Sequence, residues 1–246
     1  MSLKPAIANF VLALSLFFAS FYLAWQVSAT TNFFYSTWYE VLKIDLTISK
    51  YAPNNKFNKK GFENLPKAEH VRLFSGIAKA IQQKGDGLRD LHYKNTSNKQ
   101  QVKLLTEAEV VHLQDVANLT GVFKYLGVFG VLISLLLFVL MHFAIIPVAK
   151  FKNLLIGGVG SVLAIILLVI IIGPTKVFYA GHELVFPNNH QWFFYYEDSL
   201  MSTMMKAPAL FGPIAGQLLF LTVVFWLAAL FFSREVSLSL KRLNHD

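Results

Sequence analysis

Two histidines, His112 and His182, have the chemistry and the sequence positions to transfer protons together. His112 lies just before one long apolar segment, and His182 lies just after the next one. If both segments cross a bilayer, the two imidazoles lie on the same face of the membrane. Imidazole is the side chain best suited to exchange protons near neutral pH. The pair therefore favours an enzyme over an inert membrane protein.

The residues around His112 predict a helix that begins with a capping box. Thr106 occupies the cap position and Glu109 lies three residues further on, which is the spacing of that motif. Glu109, His112 and Asp115 then share one broad helix face, so either carboxylate is a candidate to orient His112. Three other interpretations stay open: Glu109 only caps the helix, Glu109 and His112 bind a metal, or His112 is a polar anchor.

The segment around His182 is unusually rich in aromatic residues, with eight between Phe178 and Tyr196. Aromatic belts at membrane interfaces are the ordinary explanation. Polar groups interleaved with these rings instead favour the wall of a pocket for a lipid-bearing substrate. The candidate pocket residues are Phe178, Tyr179, Phe186, Phe193 and Tyr195.

Further polar residues follow His182 in the same segment. A turn is predicted at Pro187-Asn188-Asn189, where amide groups are able to face a developing oxyanion. His190 is a third candidate histidine, in a weaker context than His182. By contrast, we expect His70, His92 and His245 to be solvated.

The composition requires elements that cross a membrane. The chain has 246 residues, of which 55% are hydrophobic, and its mean hydropathy is +0.50. Soluble domains rarely have such a composition. Each of four apolar segments is long enough to span the hydrocarbon core of a bilayer, which takes about 20 residues: Ile7–Val27, Val122–Val148, Leu154–Gly173 and Ala209–Phe232.

The sequence thus predicts an all-α integral membrane protein with four transmembrane helices and a mostly helical extracytoplasmic cap. A helix is predicted over Pro66–Gln83, and loops over Ala52–Lys60 and Lys94–Lys103. The predicted boundaries are transmembrane helix 1 at 1–29, the cap at 30–119, helix 2 at 120–148, a cytoplasmic loop at 149–153, helix 3 at 154–174, an extracytoplasmic aromatic-rich loop at 175–208, helix 4 at 209–232 and a cytoplasmic tail at 233–246.

The distribution of basic residues predicts the orientation. The cytoplasmic side carries the excess of lysine and arginine in short loops, so both termini are expected in the cytoplasm. This assignment depends on Lys4, Lys150, Lys152, Arg234, Lys241 and Arg242.

The net charge of +8 does not indicate nucleic-acid binding, because the basic residues flank spans or are dispersed. The absence of cysteine excludes disulfides, a thiol nucleophile and zinc-thiolate sites in this chain.

The motifs resemble those of the bacterial lipoprotein intramolecular transacylase (Lit) family. One is the Glu-x-x-His-x-x-Asp-Val stretch that enters the second span, here Glu109–Val116. The other follows the third span and is matched here by His182, Phe186, Asn188 or Asn189, Trp192, Asp198 and Leu200. The chain departs from the family pattern after Asp198, where Ser199 stands in place of a proline, and at Pro208, which is followed by alanine.

The resemblance implies a cofactor-independent acyltransferase of the bacterial cytoplasmic membrane. Its substrate would be a diacylglyceryl-modified lipoprotein, whose sn-2 acyl chain moves to the amine of the N-terminal cysteine and leaves the lyso form. Carried onto this chain, the catalytic pair is His112 and His182, and the site lies on the extracytoplasmic face. The supporting residues are Glu109, Asp115, Asn188, Asn189, Trp192 and Asp198, with no metal and no need for an oligomer. Two rivals remain: a metal-dependent membrane hydrolase, and a non-catalytic protein that binds lipid or a partner.

Overall fold

A computed structural model describes residues 3–96, 98–143, 145–146 and 151–243. Over these residues the chain forms nine α-helices and one two-stranded antiparallel hairpin. The helices are α1 Leu3–Thr30, α2 Tyr35–Val41, α3 Ile44–Tyr51, α4 Lys67–Gln82, α5 Glu107–His142, α6 Phe151–Ile172, α7 Pro174–Val185, α8 Leu200–Met205 and α9 Phe211–Leu243. The strands are β1 His92–Lys94 and β2 Gln101–Lys103. The predicted all-α class is confirmed.

Four of these helices contain stretches long and apolar enough to cross a membrane: Ile7–Thr30, Glu107–His142, Phe151–Ile172 and Phe211–Val236. Each overlaps one of the four apolar segments of the sequence, and the helix that contains the second segment begins ahead of the predicted transmembrane boundary, at Glu107. Residues 147–150, with Lys150 and the start of the predicted cytoplasmic loop, lie outside the described residues. So does His245.

The chain divides into two compact units. The first contains the described residues up to Gln26, Phe123–Gly181 and those from Leu218 onward, and we call it the membrane unit. The second contains Val27–Val122 and His182–Gln217, and we call it the cap unit.

The membrane unit is held by apolar packing around Trp226. This side chain is 2% exposed, and its indole N–H donates to the carbonyl of Ala13 at 3.1 Å. A β-carbon at Gly158 would lie 1.6 Å from the indole ring, so only glycine permits this approach. Buried side chains complete the cluster: Leu12, Leu16, Met141, Leu154 and Leu230.

The cap unit has its own core, built from aromatic rings on short helices. Tyr35 stacks on Phe74 with ring centroids 4.0 Å apart, and its hydroxyl donates to the carbonyl of Met204 at 2.8 Å. The predicted helix over 66–83 is confirmed as α4, which ends where the N–H of Gly85 donates to Ala80 at 2.8 Å. Gly85 has a φ of +90°, as expected for a residue that terminates a helix.

The expectation that His70 is solvated is wrong. His70 is 2% exposed; its Nδ1 accepts from the hydroxyl of Tyr39 at 3.0 Å and its Nε2 donates to the carbonyl of Phe62 at 3.1 Å. Burial lowers the pKa of His70. It lies on the apolar face of α4 because it precedes Phe74 by four residues and Leu73 by three, the spacing of one helix face.

Two segments predicted as loops contain regular structure. Residues 94–103 include parts of a hairpin in which Tyr93 pairs with Val102, and the buried Tyr93 hydroxyl donates to the carbonyl of Lys60 at 3.1 Å. Strands of three residues are too short to give a periodic signal in sequence. The segment 175–208 contains most of α7 and all of α8. A break at Gly173, with a φ of +97°, separates α7 from α6.

Candidate active site

The start of α5 positions His112. The predicted capping box is confirmed: the N–H of Thr106 donates to Glu109 Oε2 at 2.5 Å, and the N–H of Glu109 approaches Thr106 Oγ1 at 3.4 Å. His112 follows one turn later and is partly buried. Its Nδ1 is shielded from solvent and has no hydrogen-bond partner among the described residues. Buried polar atoms are rarely left in this state, so this nitrogen requires an explanation.

The carboxylate of Glu109 contacts Thr106, Ser199 and Lys59, and these contacts stabilise the fold around α5. Glu109 is fully buried, and its Oε1 accepts a hydrogen bond from the Ser199 hydroxyl. Lys59 Nζ lies 4.0 Å from its Oε2 and donates to the carbonyl of Leu104 at 2.6 Å. Burial lowers the pKa of Lys59, against the opposing effect of the Glu109 charge. Glu109 therefore ties the start of α5 to two other segments of the cap unit.

Ser199, which stands where the expected pattern has a proline, makes two hydrogen bonds through its hydroxyl. Its hydroxyl accepts from the N–H of Ser202 at 2.8 Å, so it caps α8, and it donates to Glu109. A proline has no side-chain hydroxyl to make either contact. Asp198, beside it, forms an ion pair with Lys56 at 2.7 Å, which holds this segment against the stretch after α3.

The structure brings the two predicted catalytic histidines together. The ring centroids of His112 and His182 lie 6.5 Å apart, with 31° between the ring planes. Phe186 lies against both rings, at 5.0 Å from His112 and 5.1 Å from His182. Trp192 lies 5.0 Å from His182, and Phe194 lies 5.9 Å from His112. All five residues belong to the cap unit, and together they form an imidazole pair within an aromatic enclosure.

Asp115 has a different partner from the one predicted. Its Oδ2 lies 2.6 Å from Nδ1 of His190, and no hydrogen bond joins Asp115 to His112 in the part of the chain that the structure describes. Asp115 is three residues beyond His112 on α5, so it lies on the adjacent part of the helix surface. The third candidate histidine is therefore the one that is bound to a carboxylate.

The turn predicted after His182 is present. The N–H of His190 donates to the carbonyl of Pro187 at 3.0 Å. Asn188 and Asn189 occupy the exposed middle of this turn. Both amide side chains are therefore solvent-exposed, in the turn that leads directly to His190.

The predicted pocket residues divide into three groups. Phe186 is buried against the histidine pair. Phe193 and Tyr195 are 42% and 64% exposed, and their rings contact each other at 5.1 Å. Phe178 and Tyr179 belong to the membrane unit, where their rings lie 5.7 Å apart.

Sequence reasoning did not select Phe194 as a pocket residue, although it contacts His112. It lies within a run of five neighbouring aromatic residues, Trp192 to Tyr196, and it is 9% exposed. Nothing in such a run indicates which ring faces inward. The hydrogen bond between His190 and Asp115 had no sequence signal either, because the two residues are 75 positions apart.

No metal-binding cluster is formed by the candidate side chains. Within the described ranges, no three histidine, aspartate or glutamate side chains lie close enough together to hold a metal ion. The interactions of Glu109 with Ser199 and of Asp115 with His190 account for two of the ligands that the metal interpretation would use.

Comparison with known proteins decides the family. The sequence model of the family described as Lipoprotein intramolecular transacylase Lit matches residues 10–207. The chain belongs to the Lit family. This confirms the predicted family and makes the chain a member of a family of transacylases.

Solved structures of Lit from Bacillus cereus share the fold. A variant of that membrane-integral protein is 16% identical, and the match covers 98% of this chain and 94% of that chain with a TM-score of 0.68. A second structure is 17% identical, with coverage of 97% and 98% and a TM-score of 0.64. No curated protein matches this chain. The all-α integral membrane fold of this Lit-family chain is therefore confirmed.

Proposed function

We propose that this Lit-family protein moves the sn-2 acyl chain of a diacylglyceryl-modified lipoprotein to the amine of its N-terminal cysteine. The product is a lyso-form lipoprotein. The observation that carries the proposal is the pair of imidazoles, His112 and His182, within one aromatic enclosure. Nδ1 of His112, which is buried and unpaired among the described residues, is available to a reacting group.

The reaction requires two proton transfers, and the pair supplies one imidazole for each. The cysteine amine attacks the ester carbonyl, so an N–C bond forms and the bond from the acyl carbon to the glyceryl oxygen breaks. One imidazole removes a proton from the amine, and the other protonates the departing glyceryl oxygen. Such transfers typically contribute about 10²–10⁴-fold each to a rate. The scheme is balanced without a cofactor.

The aromatic enclosure confines the reactants. Amine and ester belong to one molecule, so holding them in one geometry converts their encounter into an oriented intramolecular step. Phe186 contacts both histidines, while Trp192 and Phe194 each contact one. These rings fix the two imidazoles and provide an apolar surface for the acyl chain.

The remaining supporting residues have more distant roles in this proposal. Asn188, Asn189 and Trp192 are the candidate donors toward the oxyanion of the tetrahedral intermediate. Asp198 acts through its ion pair with Lys56, which holds the segment after the enclosure. Phe193 and Tyr195 are the residues of the cap unit, and Phe178 and Tyr179 those of the membrane unit, that we propose to contact lipid.

We place the protein in the bacterial cytoplasmic membrane with its cap and active site on the extracytoplasmic face. The positive-inside rule supports this orientation. The boundaries at residues 29, 119, 148, 174, 208 and 232, which come from the limits of the apolar segments, stay predictions. A lipoprotein substrate with its lipid anchor in the outer leaflet would reach the histidine pair from that side. The proposal needs one protein chain for each substrate.

The test is mass spectrometry of the N-terminal peptide of a reporter lipoprotein from bacteria with and without this protein. The expected product carries an N-acylated cysteine with a monoacylglyceryl thioether. It should be absent with His112→Ala or His182→Ala and present with His92→Ala, a matched change at a histidine of the hairpin. An unchanged diacylglyceryl peptide, with the wild-type protein present in the membrane, contradicts the proposal.

Two other outcomes would identify the rival functions. A monoacylglyceryl peptide with a free amine, formed in a chelator-sensitive manner, would indicate a metal-dependent hydrolase. No product, together with wild-type function of both histidine variants in cells, would indicate a protein that binds lipid or a partner.

A further inference from the structure

A cavity of about 330 Å³ with charged residues in its lining lies in the cap unit, and none of its lining residues belongs to the aromatic enclosure. That volume is at the lower end of the range of about 300–1,000 Å³ for ligand pockets. One wall is the turn after α4, residues 85–90, and the other wall is a face of α5 with His190. No role in the proposed acyl transfer accounts for it.

The cavity shares α5 with His112 and shares the segment after α7 with Trp192 and Phe194 of the aromatic enclosure. On α5 the cavity is lined by Val110, Val111, Gln114 and Asp115, which recur at the spacing of one helix face. His112 lies about 60° around the helix from Asp115 at 3.6 residues per turn. The cavity face and the catalytic face are therefore neighbours on one helix.

The second shared element is the segment after α7. His190 lines the cavity, and Trp192, two residues later, contacts His182. The hydrogen bond between His190 and Asp115, at 2.6 Å, joins α5 to the segment after α7, and both residues line the cavity.

The charges at the cavity are predominantly negative. In the described parts of the chain the carboxylates of Asp86 and Asp90 have no ion-pair partner and are exposed. Arg89, between them in sequence, is paired with Glu107. The Asp86 and Asp90 carboxylates therefore leave a negative potential that attracts cations.

We infer that this cavity binds the polypeptide of the substrate just after its modified cysteine and favours lysine or arginine there. The inference rests on the proposed function. An acylated N-terminal cysteine has two parts with opposite solvation: acyl chains, which suit the aromatic enclosure, and a polar peptide, which suits a hydrated site with charged groups. The peptide must leave the reacting amine in some direction, and this cavity, with the exposed carboxylates of Asp86 and Asp90, lies on the next face of α5.

The inference is tested by the substrate preference of the purified protein in detergent. The probes are synthetic diacylglyceryl-cysteinyl peptides with four lysines or four glutamates after the cysteine, together with diacylglyceryl-cysteine amide, which has no peptide. Two exposed charge contacts, each contributing up to about fivefold, predict a ratio of kcat/KM for lysine over glutamate of about tenfold in the wild type. The preference should decrease at high salt, since exposed charges are screened.

Charge-reversal variants separate this cavity from the general charge of the cap. Asp86→Lys with Asp90→Lys should remove or reverse the lysine preference. Glu40→Lys with Asp45→Lys changes the net charge equally at exposed positions on α2 and α3 and should keep the wild-type preference. The inference is overturned by a wild type without preference, by a preference that survives in the cavity variant, or by an equal loss in the control variant. Failure of the proposed function would look different, because the wild type would then leave even diacylglyceryl-cysteine amide unchanged.

Discussion

Two shielded histidines in the cap unit, His70 and His112, differ in what their nitrogens contact. Both nitrogens of His70 are hydrogen-bonded, one to Tyr39 and one to Phe62. Nδ1 of His112 has no such partner within the described chain, and the ring is held instead by Phe186, Phe194 and a second imidazole. An imidazole with both nitrogens engaged stabilises a fold, whereas one kept in place by ring contacts retains a nitrogen for a substrate.

The largest expected effect is the loss of activity from the catalytic pair. His112→Ala and His182→Ala should each lower kcat by about 10²–10⁴-fold, because a proton-transfer group is removed. The double variant should be hardly worse than either single variant, since residues that act as a unit are not additive. Turnover of a diacylglyceryl-cysteinyl peptide in detergent measures the rates. Additive losses in the double variant would show that the two histidines act independently.

The reverse result is expected at His70. His70→Leu leaves the Phe62 carbonyl and the Tyr39 hydroxyl without partners in a buried site, which costs about 1–3 kcal/mol of stability. The specific activity of the folded protein should remain at the wild-type level. Thermal unfolding followed by circular dichroism, with Tyr39→Phe as the milder control, measures the loss. A His70 variant that is stable but inactive would break the distinction between the two histidines.

His190 differs from both of these histidines, because it is hydrogen-bonded to a carboxylate and yet lies close in sequence to Trp192 and Phe194 of the aromatic enclosure. The His190–Asp115 contact holds the segment that carries Trp192 and Phe194, so His190→Gln and Asp115→Asn should each lower kcat/KM by about three- to tenfold, the worth of one hydrogen bond of about 0.5–1.5 kcal/mol. A double-mutant cycle should show coupling between the two positions. Losses as large as those of His112→Ala would make His190 a member of the catalytic pair.

The smallest expected effect is on the pH dependence of stability. Burial lowers the pKa of His70 in the folded state, so the unfolded chain takes up a proton first as the pH falls below about 6.5. The contribution of His70 to stability is therefore complete above that pH and is lost as the pH decreases toward the lower pKa of the folded state. Melting curves between pH 7.5 and 5 should show a steeper decline for wild type than for His70→Leu. Equal slopes would contradict this account of His70.

The parts of the fold that sequence could predict have strong local signals. Long apolar segments, three without a charge and one with a single lysine near its end, predicted the four helices long enough to span a membrane. Thr106 with Glu109 predicted the start of α5. His112 and His182 could be paired because helices that cross a bilayer alternate direction, so topology alone places the two residues on one side.

The errors have one physical cause, which is that short elements and side-chain partners depend on long-range packing. The burial of His70 requires Tyr39 and Phe62 from other segments. Asp115 was one of two carboxylates predicted to orient His112 because they are close in sequence, but its hydrogen bond is to a histidine 75 residues away. Spacing along one helix shows which residues share a face, and it does not show what that face meets.

The most direct test of the account follows the acyl chain itself. A diacylglyceryl-cysteinyl peptide with a deuterated sn-2 chain is mixed with a fully unlabelled peptide of different mass, and the products are analysed by tandem mass spectrometry. With the wild type and with His70→Leu, the deuterated chain should be found on the cysteine amine of the peptide that carried it, and it should not move with His112→Ala. Deuterated chain on the other peptide, in free fatty acid, or on the amine in the His112→Ala reaction would contradict an intramolecular transfer catalysed by the histidine pair.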